Sequence, residues 1–551
     1  MTDNSRRRRN VWTPFIFFAA LVTGILLGYF ISNQNSKSNV FRVLVERNDP
    51  LREIITLIND QYVDSINSDS LYEDAVSGIL KHLDPHTIYI PAKELGRINE
   101  DLEGSFKGIG IEFYKLNDTI QVVSVIHKGP SEKAGIQAGD RIIKVNDTLV
   151  SGVKINSDAL IRKLRGTAKS TVKLSLQRGL DTRLITVDVI RDAIPLYSVD
   201  AAYMLDATTG YIKINRFSAT TYEEFKKAGN SLKKAGMQQM ILDLRQNPGG
   251  YMEAAVAIAD EFLNDGKMVT YTRGRKSEKE TYEANRPGAL ENNRLVILID
   301  EGSASASEII AGAMQDWDRA VIMGRQSFGK GLVQQQFELS DGSALRLTTA
   351  RYYTPTGRSI QRSYAQGRDA YAHDYYKRLY DTSGTDSALT SADTTVYFSQ
   401  QSHRKLYGGG GITPDIIVPA DGIFQSPALE FLYATPVLNN YVYHYFNQHQ
   451  QALKQYRNFE DFDQNFQFTP QMTEELRQAF VLENAAHTKT VWQQPAALAF
   501  LKNQVKAMLA KMLFDPGDFY RITNERDSLL KRALEVIHNP TYQQILQGSA
   551  S

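Results

Sequence analysis

The chain has 551 residues, 42% of them hydrophobic and 23% charged, the balance of a globular protein of roughly three or four domains with real cores. It contains no cysteine, which excludes disulfide frameworks, cysteine-ligated metal sites and a cysteine nucleophile. A net charge of +1, from 63 Lys+Arg against 62 Asp+Glu, gives no support to a nucleic-acid binder relying on bulk charge.

At the N-terminus Arg6, Arg7, Arg8 and Arg9 stand together, opposed only by Asp3, and residues 12–31 carry no charge. As a helix rising about 1.5 Å per residue, that run is roughly 30 Å long and can cross a bilayer. SNQNSKSN follows it, without the small-residue cleavage site of a signal peptide, so residues 1–34 are predicted to be an Arg-rich tail and an uncleaved anchor. A cleaved signal is the competing reading. The positive-inside rule keeps the arginines in the cytoplasm and places the rest of the chain outside, in the periplasm of a cell with an inner membrane. Taking the four arginines and Asp3 from the totals leaves 59 basic and 61 acidic residues in that exported part.

Residues 35–103 have helical spacing, as at Leu51, Ile54, Ile55 and Ile58, and include LDPHTIYIP (83–91), whose Asp-Pro signals a turn. Residues 104–191 change to short β-rich runs, among them GIGIEF (108–113), TIQVVSVI (119–126) and TVKLSLQ (171–177). Residues 192–424 alternate strands and helices, and MILDLR (240–245) and RLVILID (294–300) read as strands of a covered sheet. Within this region 364–405 is a Tyr- and Ser-rich excursion, and 381–395 reads as a solvated loop. Residues 425–551 are helical in character. Their apolar residues suit packing on the core, or pairing with a second subunit as a homo-oligomer or with an adaptor.

Three readings compete for residues 295–334. GRQSFGKG (324–331) fits the G-x-x-x-x-G-K of a phosphate-binding loop, but Gly331 stands where Ser or Thr should hold magnesium, and GLVQQQFEL reads as a strand rather than a helix. Ser327-Phe-Gly-Lys330 fits S-x-x-K, yet the partner K-T-G is absent. The third reading joins two pieces. A strand ending at Asp300 leads through EGSASAS into a helix, and a serine at such a junction lies near free backbone N–H groups that suit an oxyanion. Serine needs a base, and none of the nine histidines lies within 294–362. Lys330, in its apolar, glycine-flanked setting, can serve if burial lowers its pKa, with Gln334 four residues on to hold the amine. By spacing alone, Ser305 reads equally as a helix N-cap, with Glu308 completing a capping box, and Lys330 as a surface lysine.

The blocks GSASASEIIAG, GRQSFGKGLVQ, LRLTTARYYTPTGRSIQ, LDLRQNPGG (242–250) and GGGITPD (409–415) occur in the order of the C-terminal processing (tail-specific) serine protease family, which the chain resembles from about residue 48 to 420. The resemblance implies a multidomain α/β fold: a crotonase/ClpP-like protease core (192–424), an inserted PDZ domain (104–191), and helical N- and C-terminal regions. It implies Ser305 as nucleophile, Lys330 as general base and Gln334 as the residue orienting it. The oxyanion hole it implies pairs the N–H of Ala306 with that of either Gly249 or Gly250. No metal or cofactor is required.

Residues 104–191 resemble a PDZ domain, in which Gly108, Ile109, Gly110 and Ile111 form the carboxylate-binding loop and a peptide adds to the sheet edge. Ile109, Ile111, Ile161 and Leu164 line an apolar pocket or belong to the module's core. The resemblance implies an endopeptidase that captures protein C-termini and cleaves nearby, with the PDZ module gating access. A membrane-tethered PDZ scaffold on an inactive protease fold is the rival class, and the intact Ser305, Lys330 and Gln334 favour the enzyme.

Overall fold

The computed structural model describes residues 50–548 apart from 117, 180, 381–394 and 421–425. The predicted anchor and nearly all of the 381–395 loop therefore lie outside the described residues. No helix among the described residues is long and apolar enough to cross a membrane.

The chain divides into two units, the first ending at Ile79. Its described part holds helix Pro50–Gln61 and most of helix Ser68–Leu80. The first helix has the predicted apolar spacing but buries none of its residues, and Leu51, Ile54 and Leu57 are exposed.

The second unit, from Leu80, is α/β. Strands Val199–Met204, Thr209–Ile214, Gln239–Asp243, Arg294–Ile299, Val321–Gly324 and Ile416–Ile417 form one sheet in that order. The first pair is antiparallel and the others are parallel, with Leu242 beside Ile297 and Ile297 beside Ile322. Both faces are covered, which is why these strands read as unbroken apolar runs. Helices Thr221–Lys234, Met252–Asp260 and Ala306–Asp316 cover one face through Phe225, Ile258 and Ile310. Helices Ser528–His538 and Thr541–Leu546 cover the other, setting Leu529, Val536 and Ile545 against Ile241, Val296 and Met323. The C-terminal stretch thus splits: its last two helices complete the parallel sheet, whereas helices between Pro427 and Asn524 build a separate core around Phe446, Phe462, Leu476 and Val505.

A second, antiparallel sheet carries Leu332–Glu338 paired with Ala344–Tyr353. Ala344–Tyr353 also pairs with Met268–Arg273, and with Ile88–Ile90 from the LDPHTIYIP segment. The alternating Ile-Tyr-Ile at 88–90 has strand character, and joining this sheet brings the preceding turn beside residues 332–338.

The β-rich module is an antiparallel sheet in the order Ile111–Leu116, Thr119–Val125, Arg141–Val145, Thr171–Gln177, Leu184–Ile190. Its core includes Ile109, Val122, Leu160, Leu164 and Leu174. Entry strand Ser105–Gly108 pairs with exit strand Asp192–Pro195, closing the module at its base.

The core beneath the first sheet contains one fully buried guanidinium. Arg358 donates to Asp316 at 2.7 Å and to Gln315 at 3.0 Å, and both residues of the ion pair are essentially inaccessible. Removing one member leaves an uncompensated charge, so Arg358→Met is expected to lose about 3–5 kcal/mol of stability in urea unfolding.

Candidate active site

The site lies where strand Arg294–Ile299 turns into helix Ala306–Asp316. Asp300 anchors the turn, accepting from the Gln246 N–H at 2.8 Å, its amide at 2.6 Å and the Gly302 N–H at 3.0 Å. Ser303 and Ser307 stitch this turn to the neighbouring loop. Their hydroxyls donate to the carbonyls of Leu244 and Asn247 at 2.9 and 3.0 Å. The Ala304 N–H also donates to the Asn247 carbonyl, at 2.9 Å.

Ser305, the N-cap of the helix, has φ +54° and ψ −111°. A side chain in that region costs about 1–3 kcal/mol and persists only where its surroundings over-determine it. The following N–H, of Ala306, has no acceptor among the described residues. Gly249 packs directly on this bend: a Cβ there would lie 2.8 Å from the Ser305 Cβ and 2.9 Å from the Ala306 nitrogen. The Gly249 N–H is already engaged, donating to Asn247 Oδ1 at 2.9 Å. Gly250 is bridged to Phe217 through its neighbours, and its own N–H has no acceptor among the described residues.

Lys330 and Gln334 lie at the start of strand Leu332–Glu338, and Lys330 Nζ donates to Gln334 Oε1 at 2.9 Å. The amide cannot flip, because Gln334 Nε2 donates to the His86 carbonyl at 2.5 Å. Burial is the main force lowering the Lys330 pKa, the charge of Arg346 adds to it, and Glu308 and Asp84 act against it. No hydrogen bond runs from the amine to Ser305. In free enzymes such bonds are often loose and tighten when substrate binds.

Two features were not legible beforehand. Glu308, expected to complete a helix cap, is fully buried and holds both Ser305 and Lys330 through their backbones. The turn at 83–87, read only as a turn, carries His86 and is itself clamped. The Arg368 guanidinium donates to the carbonyls of Leu80, Asp84 and Thr87 at 2.8 to 3.0 Å, and the Asp84 carboxylate accepts from the N–H groups of His86 and Thr87. The only sequence signal was Asp-Pro.

The rival motifs dissolve in the structure. Residues 324–331 run from a strand end into another strand, so no helix N-terminus faces a phosphate. Ser327 is fully buried, donating to Glu308 and accepting from the Ile412 N–H, with no access to a substrate.

Gly108, Ile109, Gly110 and Ile111 form a separate group on the β-rich module. Ile109 is part of its core and Ile111 packs against that core. The Ile109 carbonyl is held by Ser131 at 2.7 Å, while the N–H groups of Ile109 and Gly110 have no acceptor among the described residues. Strand Ile111–Leu116 is an edge strand, paired only with Thr119–Val125.

Three sequence profiles match the chain: peptidase family S41 over residues 208–367, a PDZ domain over 108–189, and a family of unknown function (DUF8443) over 429–515. A carboxy-terminal-processing protease of Bartonella bacilliformis is 38% identical over 333 residues, covering 59% of this chain and 74% of that protein. A probable CtpA-like serine protease of Staphylococcus epidermidis is 37% identical over 305 residues, covering 55% and 61%. Among solved structures, a photosystem II D1 C-terminal processing protease matches at 30% identity and a TM-score of 0.33, covering 57% of this chain and 83% of that one.

The electrostatics of the site give a direct test. Burial, then the charge of Lys330, push the His86 imidazole down to about 4, while Asp84 pulls it back. An NMR titration of His86 should find its midpoint near that value, and Lys330→Met should move it upward.

Proposed function

The chain belongs to the carboxy-terminal-processing serine proteases of peptidase family S41, and from that premise we propose that Ser305 and Lys330 are its catalytic dyad, acting on protein tails delivered by the PDZ domain. The observation that carries the reading is the junction at Ser305. A strained serine stands beside two backbone N–H groups that have no acceptor among the described residues, and a lysine of depressed pKa donates to Gln334 while the buried Glu308 holds the backbone N–H groups of both serine and lysine.

In this mechanism the neutral Lys330 amine takes the Ser305 proton as Oγ attacks the scissile carbonyl. The N–H groups of Ala306 and Gly250 receive the developing oxyanion. Of the two glycines Gly250 fits the role better, since the Gly249 donor is spent on Asn247. The same amine gives its proton to the departing amine, leaving a Ser305 ester, then accepts one from the water that attacks the ester and returns it to Ser305 Oγ as the acid leaves. Gln334 accepts an N–H of the amine, and that bond orients the lone pair.

The PDZ domain would hold the substrate's terminal carboxylate on the free N–H groups at Ile109 and Gly110, with the peptide extending along the open edge of Ile111–Leu116. The four arginines and the uncharged run at 12–31 support a single-pass anchor, with the peptidase on the periplasmic side.

With an unfolded substrate bearing an apolar C-terminus, Ser305→Ala and Lys330→Ala should each lower kcat by at least about a thousandfold. Ser327→Ala should stay within about tenfold of the parent. Cleavage should fall on the acid side as the amine gains its proton, and a profile flat from about pH 5 to 9 would count against a lysine base. Amidating the substrate's C-terminus should raise KM roughly tenfold with little change in kcat, and an unchanged KM would remove the PDZ domain from substrate capture.

A further inference from the structure

Among the described residues Glu308 is the one fully buried carboxylate that contacts both halves of the proposed dyad. It sits in the first turn of helix Ala306–Asp316, with no exposed surface. Its Oε1 accepts from the Ser327 hydroxyl at 2.5 Å and the Gly329 N–H at 2.7 Å. Its Oε2 accepts from the Ser305 N–H at 2.8 Å and the Lys330 N–H at 2.9 Å.

A carboxylate has two oxygens and about four acceptor positions, and here four donors occupy them. An amide would place a hydrogen where a backbone donor already points. The backbone N–H groups and the Ser327 hydroxyl favour the ionised form, while burial, the larger effect, raises the Glu308 pKa above the ordinary carboxylate value. Three of the donors are backbone N–H groups, so the contact specifies main-chain positions rather than side-chain partners. One oxygen joins the residue before the Ala306 N–H to the residue that carries the amine.

We propose that Glu308 is the positioning residue of the dyad, fixing the separation of Ser305 and Lys330 by holding both backbones and setting the proton affinity of the amine through its charge. The proposal rests on the Ser305–Lys330 reading. A capping carboxylate would need only the Ser305 side of the contact; the bonds to Gly329 and Lys330 reach a segment more than twenty residues away in sequence. The charge has a defined effect. Lys330 is surrounded by Arg346 from strand Ala344–Tyr353, Asp84 and His86 from the 83–87 turn, and Glu308. Arg362 lies over the Phe328 ring, Arg378 donates to the Phe328 carbonyl, and the Tyr352 hydroxyl donates to the Ser305 carbonyl. Removing the Glu308 charge leaves Arg346 less opposed, so the amine should lose its proton more easily.

The test compares the whole enzyme with Glu308→Gln and Glu308→Asp across the pH range, with folding checked by thermal unfolding. Glu308→Gln retains the size but cannot accept on its nitrogen. It should lower kcat about a hundredfold with KM within about twofold, and move the acid limb of kcat toward lower pH by about one unit. Glu308→Asp keeps the charge but falls short of the four donors. It should lose kcat and leave the limb in place, and it remains informative if the Gln variant does not fold. A merely structural role would lower kcat in Glu308→Gln with an unmoved limb, and that result overturns the proposal, as would full kcat in Glu308→Asp. A parent enzyme with no acid limb would overturn the dyad reading and this inference together; a parent limb unmoved in Glu308→Gln would overturn this inference alone.

Discussion

The backbone at Ser305 cannot sustain itself. At φ +54° and ψ −111° an L-residue pays about 1–3 kcal/mol, and nothing within Ser305 returns it. The return comes from three directions. Asp300 fixes the turn before it, Glu308 holds its N–H from the helix behind, and the Asn247 carbonyl binds Ala304 and Ser307 on either side. The loop opposite must also lie in contact with the bend, where any Cβ at Gly249 would meet the Ser305 side chain. The sheet makes these demands compatible. Parallel pairing of Gln239–Asp243 with Arg294–Ile299 ends both strands at one edge, so the two loops that follow emerge side by side.

That arrangement also explains where charge is tolerated. Asp300, Glu308 and Asp316 are all inaccessible or nearly so, and each is surrounded by donors rather than left to pair across a void. Lys330 receives the opposite treatment. Among the described residues its amine has one neutral partner, Gln334, and no salt bridge, and burial is the main force keeping its proton loosely held. A direct ion pair with either nearby acid would hold that proton in place. The acids instead spend their oxygens on N–H and hydroxyl groups, staying close enough to moderate the amine without touching it.

How far all this could be read in advance depended on what kind of atom makes each contact. The strand before Asp300, the small residues of EGSASAS and the glycine-flanked Lys330 leave side-chain patterns, and they were legible. Glu308 carries the same signature as any capping glutamate, and its reach to Gly329 and Lys330 goes to main-chain N–H groups that no side chain advertises. His86 contributes its carbonyl, and Arg368 binds three more carbonyls, so neither contact leaves a mark in the residue types. That the Gly249 N–H is taken by Asn247 is a single contact which only three dimensions reveal. Amphipathic spacing identified the C-terminal helices as helices. It could not say that Ser528–His538 and Thr541–Leu546 roof the catalytic sheet while the preceding helices pack elsewhere, because an apolar stripe does not name its partner.

Those preceding helices meet the PDZ sheet on the face away from its own core. Lys511 pairs with Glu112 at 2.9 Å, Tyr443 lies against Tyr114 with ring centres 5.4 Å apart, and Asn447 reaches Gln121 at 3.2 Å. Alternation along Ile111–Leu116 dictates this division: Ile111 and Phe113 turn into the module, whereas Glu112 and Tyr114 turn toward the helices. Both faces of the strand are therefore occupied, and its remaining freedom is the hydrogen-bonding edge. An uncovered edge is a hazard that folds usually blunt with charge, proline or a covering loop. Here the flanking faces are buttressed while the edge keeps its N–H and C=O groups available, the geometry an incoming extended chain requires.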